Sequence, residues 1–459
     1  NDAQREEWVR LCAIDEIKGD LTTPGYSALL TVEFLKAHPT LVVDTRHFSA
    51  DFTFRLVEAF ESIDNCTDGL LVHSENFQAA HLLQNRHKKG ICCTYNDPPY
   101  NTEGDRATGK FLYKDGYERA SWLSLIYDRL IATLPLLSDD ALVMFSIDEH
   151  EFGRMNELLE QLVRSRIGVF TWVKKAKGSH LSHTIRDMTE FVLAYCQDKS
   201  DLILYGEAAY SEKAQPLAKK TNKKKLLKFP PNCVRTSLPD GYYEAGTRGS
   251  GDSSLYFTAP FTVRDGVVTT EIAVEGPFVW SQEKLDEELS LGTIPLLSRQ
   301  YGFNVIRHDQ AEKFKRPSTL LSADQQGVGT NETAFEEYTN LFGAEPRGLY
   351  PKPVGLVAYL IRARTFFSRS GLTLDAYAGT GTTGHATVKL NREDGGNRKF
   401  VLIEQNEYFD AVLLPRLKKV TFTPEWKDGK PKRLATAEEA ERSPRIMKVI
   451  RLESYEDTL

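Results

Sequence analysis

Long apolar runs are missing from this sequence. Nothing in its 459 residues approaches the ~20 consecutive apolar positions that a membrane-spanning helix requires, and no charged-then-apolar leader opens it. The chain begins at Asn1 rather than at a methionine, so the missing leader says little about targeting. Cysteine pairs are missing too. Cys12, Cys66, Cys92, Cys93, Cys196 and Cys233 contain no C-x-x-C and follow no regular spacing. That pattern points to reduced thiols in a cytosol-like compartment and argues against a cysteine zinc site. A surplus of positive charge is also absent: 58 Lys and Arg stand against 64 Asp and Glu, a net charge of −6. Bulk charge therefore does not advertise nucleic acid, and any such partner must be read from local clusters. There is no internal repeat and no long low-complexity segment. What remains is an ordinary globular composition, 41% apolar and 27% charged, in a length suited to two or three domains.

Strand and helix patterns alternate from residue 70 to 200. ICCTYN reads as a strand, and Trp122, Leu123, Ile126, Leu130, Ile131 and Leu134 then recur at helical spacing between about 119 and 137. ALVMFSID reads as a buried strand, RMNELLEQLV as a helix, and GVFTWVKK and EFVLAYCQ as further strands. Such alternation predicts an α/β fold, a mostly parallel sheet with helices on both faces. Residues 1–69 are harder to place; LVVDTRHF reads as a strand and turn in an N-terminal region packed on the α/β domain. Residues 201–345 break the pattern with KKTNKKKLLKFPPN, GTRGSGDSS and short strands such as GVVTTEIAV, and read as an inserted α+β module. Alternation returns over 346–425, and 426–459 form a C-terminal extension. One sheet assembled from 70–200 and 346–425 is the natural reading.

Two stretches carry chemistry. In YNDPPYNT, Pro98 and Pro99 have φ fixed at about −65° and no N–H to donate, so Asp97 and Tyr100 are held at the ends of a rigid loop. Alone, this is equally a rigid polar turn. In LDAYAGTGTTGHATVKL, Gly379, Gly381 and Gly384 have G-x-G-x-x-G spacing between a strand and a helix. Glu404, ending the next strand, suits the two hydroxyls of a ribose. By itself the turn fits a nicotinamide dinucleotide, or a tight β-to-α turn with no ligand and an ordinary surface glutamate. The threonines Thr380, Thr382 and Thr383 around the glycines, Asp375 at the strand end, and the late position of the motif all count against a dehydrogenase.

Together these residues resemble the S-adenosylmethionine-dependent amino-methyltransferases of DNA. The motif order is that of the permuted β class, most similar to the modification subunits (Mod) of type III restriction–modification systems. Asp97, Pro98, Pro99 and Tyr100 match the catalytic D-P-P-Y loop. Asp375, Gly379, Gly381 and Thr382 match the cofactor motif, with Tyr377 in place of its usual Phe. PKP at 351–353 is similar to the last cofactor motif and brings in Lys352, and LLVHSENFQAAHLL resembles the lead into the catalytic strand, with Asn76 at its short polar turn. The resemblance implies a Rossmann-like methyltransferase sheet in circularly permuted order, with a target-recognition domain at 201–345. It implies S-adenosyl-L-methionine as cofactor, no metal, and methyl transfer to the N6 amine of a flipped adenine in duplex DNA. Asn76, Lys352, Asp375, Tyr377, Gly379, Gly381, Thr382 and Glu404 would bind the cofactor. A prokaryotic cytoplasmic setting, a restriction or helicase–nuclease partner subunit, and room for a homodimer follow from the same likeness.

An exocyclic amine is a poor nucleophile because its lone pair is delocalised into the ring. If the Asp97 carboxylate and the Pro98 carbonyl each accept one N–H, the lone pair localises toward the methyl group, while Tyr100 stacks on the extruded base. Asp at the first position of the loop favours adenine; cytosine-N4 is the alternative. Between 213 and 228 lie Lys213, Lys219, Lys220, Lys223, Lys224, Lys225 and Lys228 without one Asp or Glu. They read as phosphate contacts or as a solvated loop, with Lys219, Lys220, Lys223, Lys224 and Lys225 the DNA-binding choice. Lys174, Lys175, Lys177 and His180 border the catalytic mouth in this reading, and His180 with His183 lacks the partners of a metal site. A protein-glutamine or RNA methyltransferase, a nicotinamide enzyme, and a non-catalytic DNA-recognition subunit of a helicase–nuclease complex remain the competing functions.

Overall fold

The computed structural model describes residues 1–19, 24–101, 119–176, 185–208, 214–249, 254–307 and 314–453. Lys177, His180, His183 and Lys213 lie outside them. Two compact units emerge: residues 1–205 with 317–459, and residues 206–316.

The first unit is built on a nine-stranded sheet. Its strands are β1 (Thr67–His73), β2 (Ile91–Asn96), β3 (Leu137–Ile147), β4 (Ser165–Val173), β5 (Thr189–Cys196), β6 (Leu320–Leu321), β7 (Ser370–Asp375), β8 (Asn397–Glu404) and β9 (Ile446–Arg451). Their order is β6-β4-β5-β3-β2-β7-β8-β1-β9. Every neighbouring pair is parallel except those made by β5, which runs against β3 and β4. The order joins 67–196 to 370–404 in a single sheet, as the two separated α/β segments required.

Both faces of the strands are apolar, so the pleat sends alternate residues into two cores. Val143, Phe145, Ile147, Leu193, Tyr195, Val401 and Ile403 meet helices α2 (Asn76–His87), α3 (Arg119–Thr133) and α4 (Phe152–Val163) on one face. Leu142, Met144, Val192 and Ala194 meet α6 (Val354–Thr365) and α7 (Thr382–Asp394) on the other, while Leu71, Phe400 and Leu402 meet α7 and α8 (Leu414–Phe422). Helix α6 is apolar nearly all round, with nine of its twelve residues buried, which is the pattern of a helix enclosed on every side. Helix α3 stops at Thr133 because Pro135 cannot continue it; a single tight turn, Leu134–Leu136, leads straight into β3.

Three expectations about boundaries change. LVVDTRHF makes no strand: Val42 gives its carbonyl to Trp8 Nε1, and the Asp44 N–H goes to Gln4 Oε1, so the segment's backbone groups are used against helix α1 (Asp2–Cys12) instead of a ladder. Residues 317–345 belong to the first unit, because β6 pairs with β4 and helix α5 (Asn331–Phe342) packs there. The C-terminal extension supplies β9, an edge strand parallel to β1. The N-terminal region is tied to the same unit by the Lys418 ammonium, which bonds Glu7 and Asp44 at 2.5 and 2.6 Å.

The second unit has its own core. Phe229, Phe257, Phe261, Phe278 and Phe303 are all buried among Leu227, Val263, Val274 and Leu285. Around them lie a seven-stranded and a four-stranded sheet of short strands; in the latter, Lys225–Phe229 pairs antiparallel with Ile272–Gly276.

Candidate active site

The site grows from the carboxyl ends of parallel strands. β1, β2, β7 and β8 lie in register, so His73 pairs with Glu404, Asp375 with Leu402, and Thr94 with Leu374. From β2 the chain passes through α3 to β3 on one side; from β7 it passes through α7 to β8 on the other. Adjacent parallel strands whose connections part in opposite directions leave a crevice beyond their carboxyl ends. The D-P-P-Y loop follows β2 and the Gly-rich turn follows β7.

Two asparagines clamp these turns together. Asn96 Oδ1 accepts the Ala376 N–H and Asn76 Nδ2 donates to the Ala376 carbonyl, each at 3.3 Å. The loop itself is fixed by Trp122, fully buried, whose Nε1 donates to the Pro99 carbonyl at 2.8 Å. It ends at Asn101, whose φ of 60° turns the chain and whose amide donates to Glu151 at 2.8 Å.

Around the Gly-rich turn the polar groups are mostly satisfied internally. Asp375 accepts from Thr383 Oγ1 at 2.5 Å and from the Tyr377 N–H at 3.0 Å. Burial pushes its carboxyl up to about 7. Glu404 Oε1 accepts from the Gln405 and Asn406 N–H groups and the Asn406 side chain, while Oε2 takes the Gly379 N–H, each at 2.9 Å, and the Tyr408 hydroxyl also lies against this carboxylate. Burial raises the Glu404 carboxyl above its ordinary value, and those N–H groups oppose the shift.

A cavity of about 300 Å³ lies against this turn. It is lined by Asn76, Asp97, Lys352, Asp375, Tyr377, Gly379, Thr382 and Glu404, among others. The structure thus gathers seven of the eight residues expected at the cofactor around one space, along with Asp97. Asn76 Oδ1 is buried there without a hydrogen-bond partner among the described residues. Gly381 is the exception. It does not line the cavity; with φ 82° it forms the left-handed start of α7, where an added Cβ would stand 3.2 Å from Leu413. Its glycine is required by the backbone of the turn.

Asp97 faces a second cavity, of about 800 Å³, lined also by Pro98, Tyr100, Lys174, Lys175, Asp187, Glu190, Phe335 and Tyr350. The two cavities share Asp97, Leu349, Tyr350, Pro351 and Lys352. Lys352 Nζ lies 3.0 Å from both Asp97 oxygens, 3.4 Å from Glu190 Oε2 and 4.8 Å from the Tyr100 ring centre. The Tyr100 hydroxyl donates to Asp97 at 2.8 Å and to Glu190 at 3.2 Å. Burial pushes the Asp97 carboxyl up against the pull of the Lys352 ammonium; Asp97 and Glu190 hold Lys352 above the ordinary lysine value despite its own burial. Lys352, expected with the cofactor alone, therefore also grips the carboxylate of the D-P-P-Y loop. Glu190 was not legible as a site residue: it is one charge at the start of an apolar strand, and only the β5–β3–β2 order carries it to the loop. Glu337, also missed, caps α6 through the Val354 N–H at 2.9 Å and so holds the P-K-P start in place.

Lys219, Lys220, Lys223, Lys224, Lys225 and Lys228 are exposed on the second unit. None forms an ion pair among the described residues.

The family model described as DNA methylase matches residues 91–413. The chain belongs to the DNA methylase family. It is 24% identical over 394 residues to the Mod subunit of the type III restriction–modification enzyme EcoPI of Escherichia phage P1, covering 75% of this chain and 59% of that one. It is 26% identical over 367 residues to the StyLTI Mod subunit of Salmonella typhimurium, with 72% and 52% covered. It is 25% identical over 387 residues to the type II methyltransferase M.KpnI of Klebsiella pneumoniae, with 78% and 85% covered. The chain spans about half the length of the Mod subunits it matches. Within this methylase the matched span reaches from β2 through the second unit to the end of the turn before α8.

Proposed function

We propose that this methylase transfers a methyl group from S-adenosyl-L-methionine to the N6 amine of an adenine swung out of duplex DNA, as the modification component of a restriction–modification system. One observation carries the reading: two cavities meet at Asp97, one against the Gly-rich turn and Glu404, the other bordered by Tyr100 and Glu190. That arrangement suits a methyl donor on one side of the carboxylate and a base on the other. The residues present fit the cofactor. Glu404, a carboxylate ending β8, lines the cavity as an acceptor for ribose hydroxyls, and Asn76, whose Oδ1 is buried without a partner among the described residues, lines the same cavity. When bound, S-adenosylmethionine supplies an electrophilic methyl on sulfur.

The protein's part is positioning and electrostatics. Asp97 and the Pro98 carbonyl accept the two amine hydrogens and localise the nitrogen lone pair, an interaction strongest as positive charge develops there. The rigid loop, braced by Trp122 and Asn101, keeps these acceptors in place while the base is out of the stack. The exposed lysines of the second unit meet phosphates, and that unit serves target recognition; a nuclease subunit and duplex DNA are the partners. Mapping modified bases in DNA from cells that express the chain tests the proposal. N6-methyladenine in one sequence context supports it; N4-methylcytosine, or unmodified DNA in cells that hold the folded protein, overturns it.

A further inference from the structure

The catalytic carboxylate is not free. Lys352 Nζ bonds both Asp97 oxygens at 3.0 Å, and the Tyr100 hydroxyl takes another position on Oδ1 at 2.8 Å. A neutral amine N–H is a weaker partner for a carboxylate than an ammonium, because charge-assisted bonds are about twice as strong as neutral ones. Substrate cannot displace Lys352 unless that ammonium keeps a carboxylate of its own. Glu190 is so placed: buried at the start of β5, it lies 3.4 Å from the same Nζ and 3.2 Å from the Tyr100 hydroxyl. Lys174, in turn, balances Glu190 at 3.4 Å and Asp187 at 2.6 Å, so the row alternates in sign.

We propose that Glu190 is a positioning residue that receives the Lys352 ammonium when the target amine engages Asp97, so that Lys352 latches the catalytic loop at rest and releases it in the productive complex. A shift of Nζ from bidentate contact with Asp97 toward Glu190 opens acceptor capacity on Asp97 and keeps the buried ammonium paired throughout. Asp97, Glu190 and Tyr100 face Lys352 directly, while Tyr95 of β2 and Asp375 at the end of β7 act on Asp97, and Lys174 after β4, itself paired with Asp187, acts on Glu190. This inference rests on the adenine-methylase reading.

The test is single-turnover transfer of labelled methyl to duplex DNA by the full chain carrying Glu190→Gln, from pH 7 to about 9.5, with folding checked by melting. Without Glu190 the ammonium stays on Asp97, so transfer at neutral pH falls on the order of tenfold while KM for DNA and cofactor affinity hold. Glu190→Gln also removes one of the two carboxylates that hold buried Lys352 charged, so the ammonium gives up its proton at lower pH than in the wild type; Asp97 is then freed, and the rate climbs with pH where the wild type stays flat. Adding Lys352→Met to Glu190→Gln removes the latch together with a cavity-lining side chain, so it is read as a pH profile at saturating S-adenosylmethionine, where the alkaline rise disappears. A rate near wild type, a loss without the alkaline rise, or a rise that persists in the double variant overturns the inference. Should Glu190→Gln fail to fold, Glu190→Asp, which withdraws the carboxylate by one methylene, must show a smaller loss with the same alkaline recovery. Asp97→Ala separates the two levels. Near wild-type transfer in that variant sinks the placing of the chemistry at Asp97, on which the latch rests, whereas its inactivity beside an unaffected Glu190→Gln sinks only the latch.

Discussion

Asp97 meets both cavities, and the proposed chemistry depends on what it accepts. Asp97→Ala should lower single-turnover methyl transfer on the order of 10²–10³-fold, the usual cost of removing one electrostatic group. Affinity for S-adenosylmethionine and DNA should change little, since Glu404 and the lysines of the second unit remain; near wild-type transfer by folded protein would show that the loop is not the catalytic centre. Tyr100→Ala should lose base stacking, roughly 1–3 kcal/mol, together with the two hydroxyl bonds that steady Asp97 and Glu190. Asp375 makes a separate prediction. Its carboxyl is pushed from 3.8 up to about 7, so the unfolded chain gives up this proton well before the folded one. The folded state binds more protons across that window, and the group's contribution to stability falls as pH rises through it. Relative to wild type, Asp375→Asn should therefore gain stability between about pH 4 and pH 7, by at most roughly 4 kcal/mol, and then level off. Melting curves without cofactor over that range measure it; a pH-independent difference would refute the raised carboxyl.

The Gly-rich turn is the element against which the cavity proposed for the cofactor lies, and the residues in and beside it divide by task. Glu404 is on the next strand and faces the cavity; Gly381 starts α7 and does not. Glu404→Ala should weaken S-adenosylmethionine binding by about 1–3 kcal/mol, the scale for hydrogen bonds to a charged group, with unchanged calorimetric affinity counting against the ribose assignment. Gly381→Ala should act through the fold instead. A Cβ at φ 82° costs roughly 1–2 kcal/mol of strain, and Leu413 must also yield at 3.2 Å. The expected result is a lower Tm with cofactor affinity reduced less than by Glu404→Ala, and the reverse ranking would place Gly381 on the ligand. Nearby, Arg416 is buried and donates to Thr380 Oγ1 and Thr382 Oγ1 at 2.9 and 3.1 Å, bracing the same turn from α8.

At the scale of the whole molecule, the second unit carries the exposed Lys219, Lys220, Lys223, Lys224, Lys225 and Lys228 and a phenylalanine core of its own, while the first carries both cavities. Replacing Lys219, Lys223 and Lys224 with Ser should weaken cognate and non-cognate DNA alike. For each lysine–phosphate pair removed, the slope of log affinity against log salt should fall by roughly 0.9. Binding titrations at several salt concentrations decide it. Weakening confined to cognate DNA would indicate base reading, and unchanged binding would leave these side chains as solvated surface.

The prolines of the D-P-P-Y loop, the glycines after β7 and the apolar alternation of the strands act over a few residues, through backbone geometry and the period of side-chain burial, so they are visible in any window that contains them. The class of fold and the two signal stretches followed from such windows; the resemblance those stretches carry supplied the eight residues expected at the cofactor, seven of which line one cavity. Long-range pairing is different. That β9 closes the sheet, that 317–345 pack with the first unit, and that Val42 and Asp44 bond α1 depend on partners far along the chain or on the reach of one tryptophan and one glutamine. Glu190 and Lys352 are 162 positions apart by their numbering; Lys352 lies in a motif that pointed only to the cofactor, and Glu190 does not stand out where it lies. Strand order β5-β3-β2 brings one to Asp97 and the capped start of α6 brings the other. Charge pairing inside a buried site acts through space across a few ångströms, so only the tertiary structure decided which carboxylates share the Lys352 ammonium.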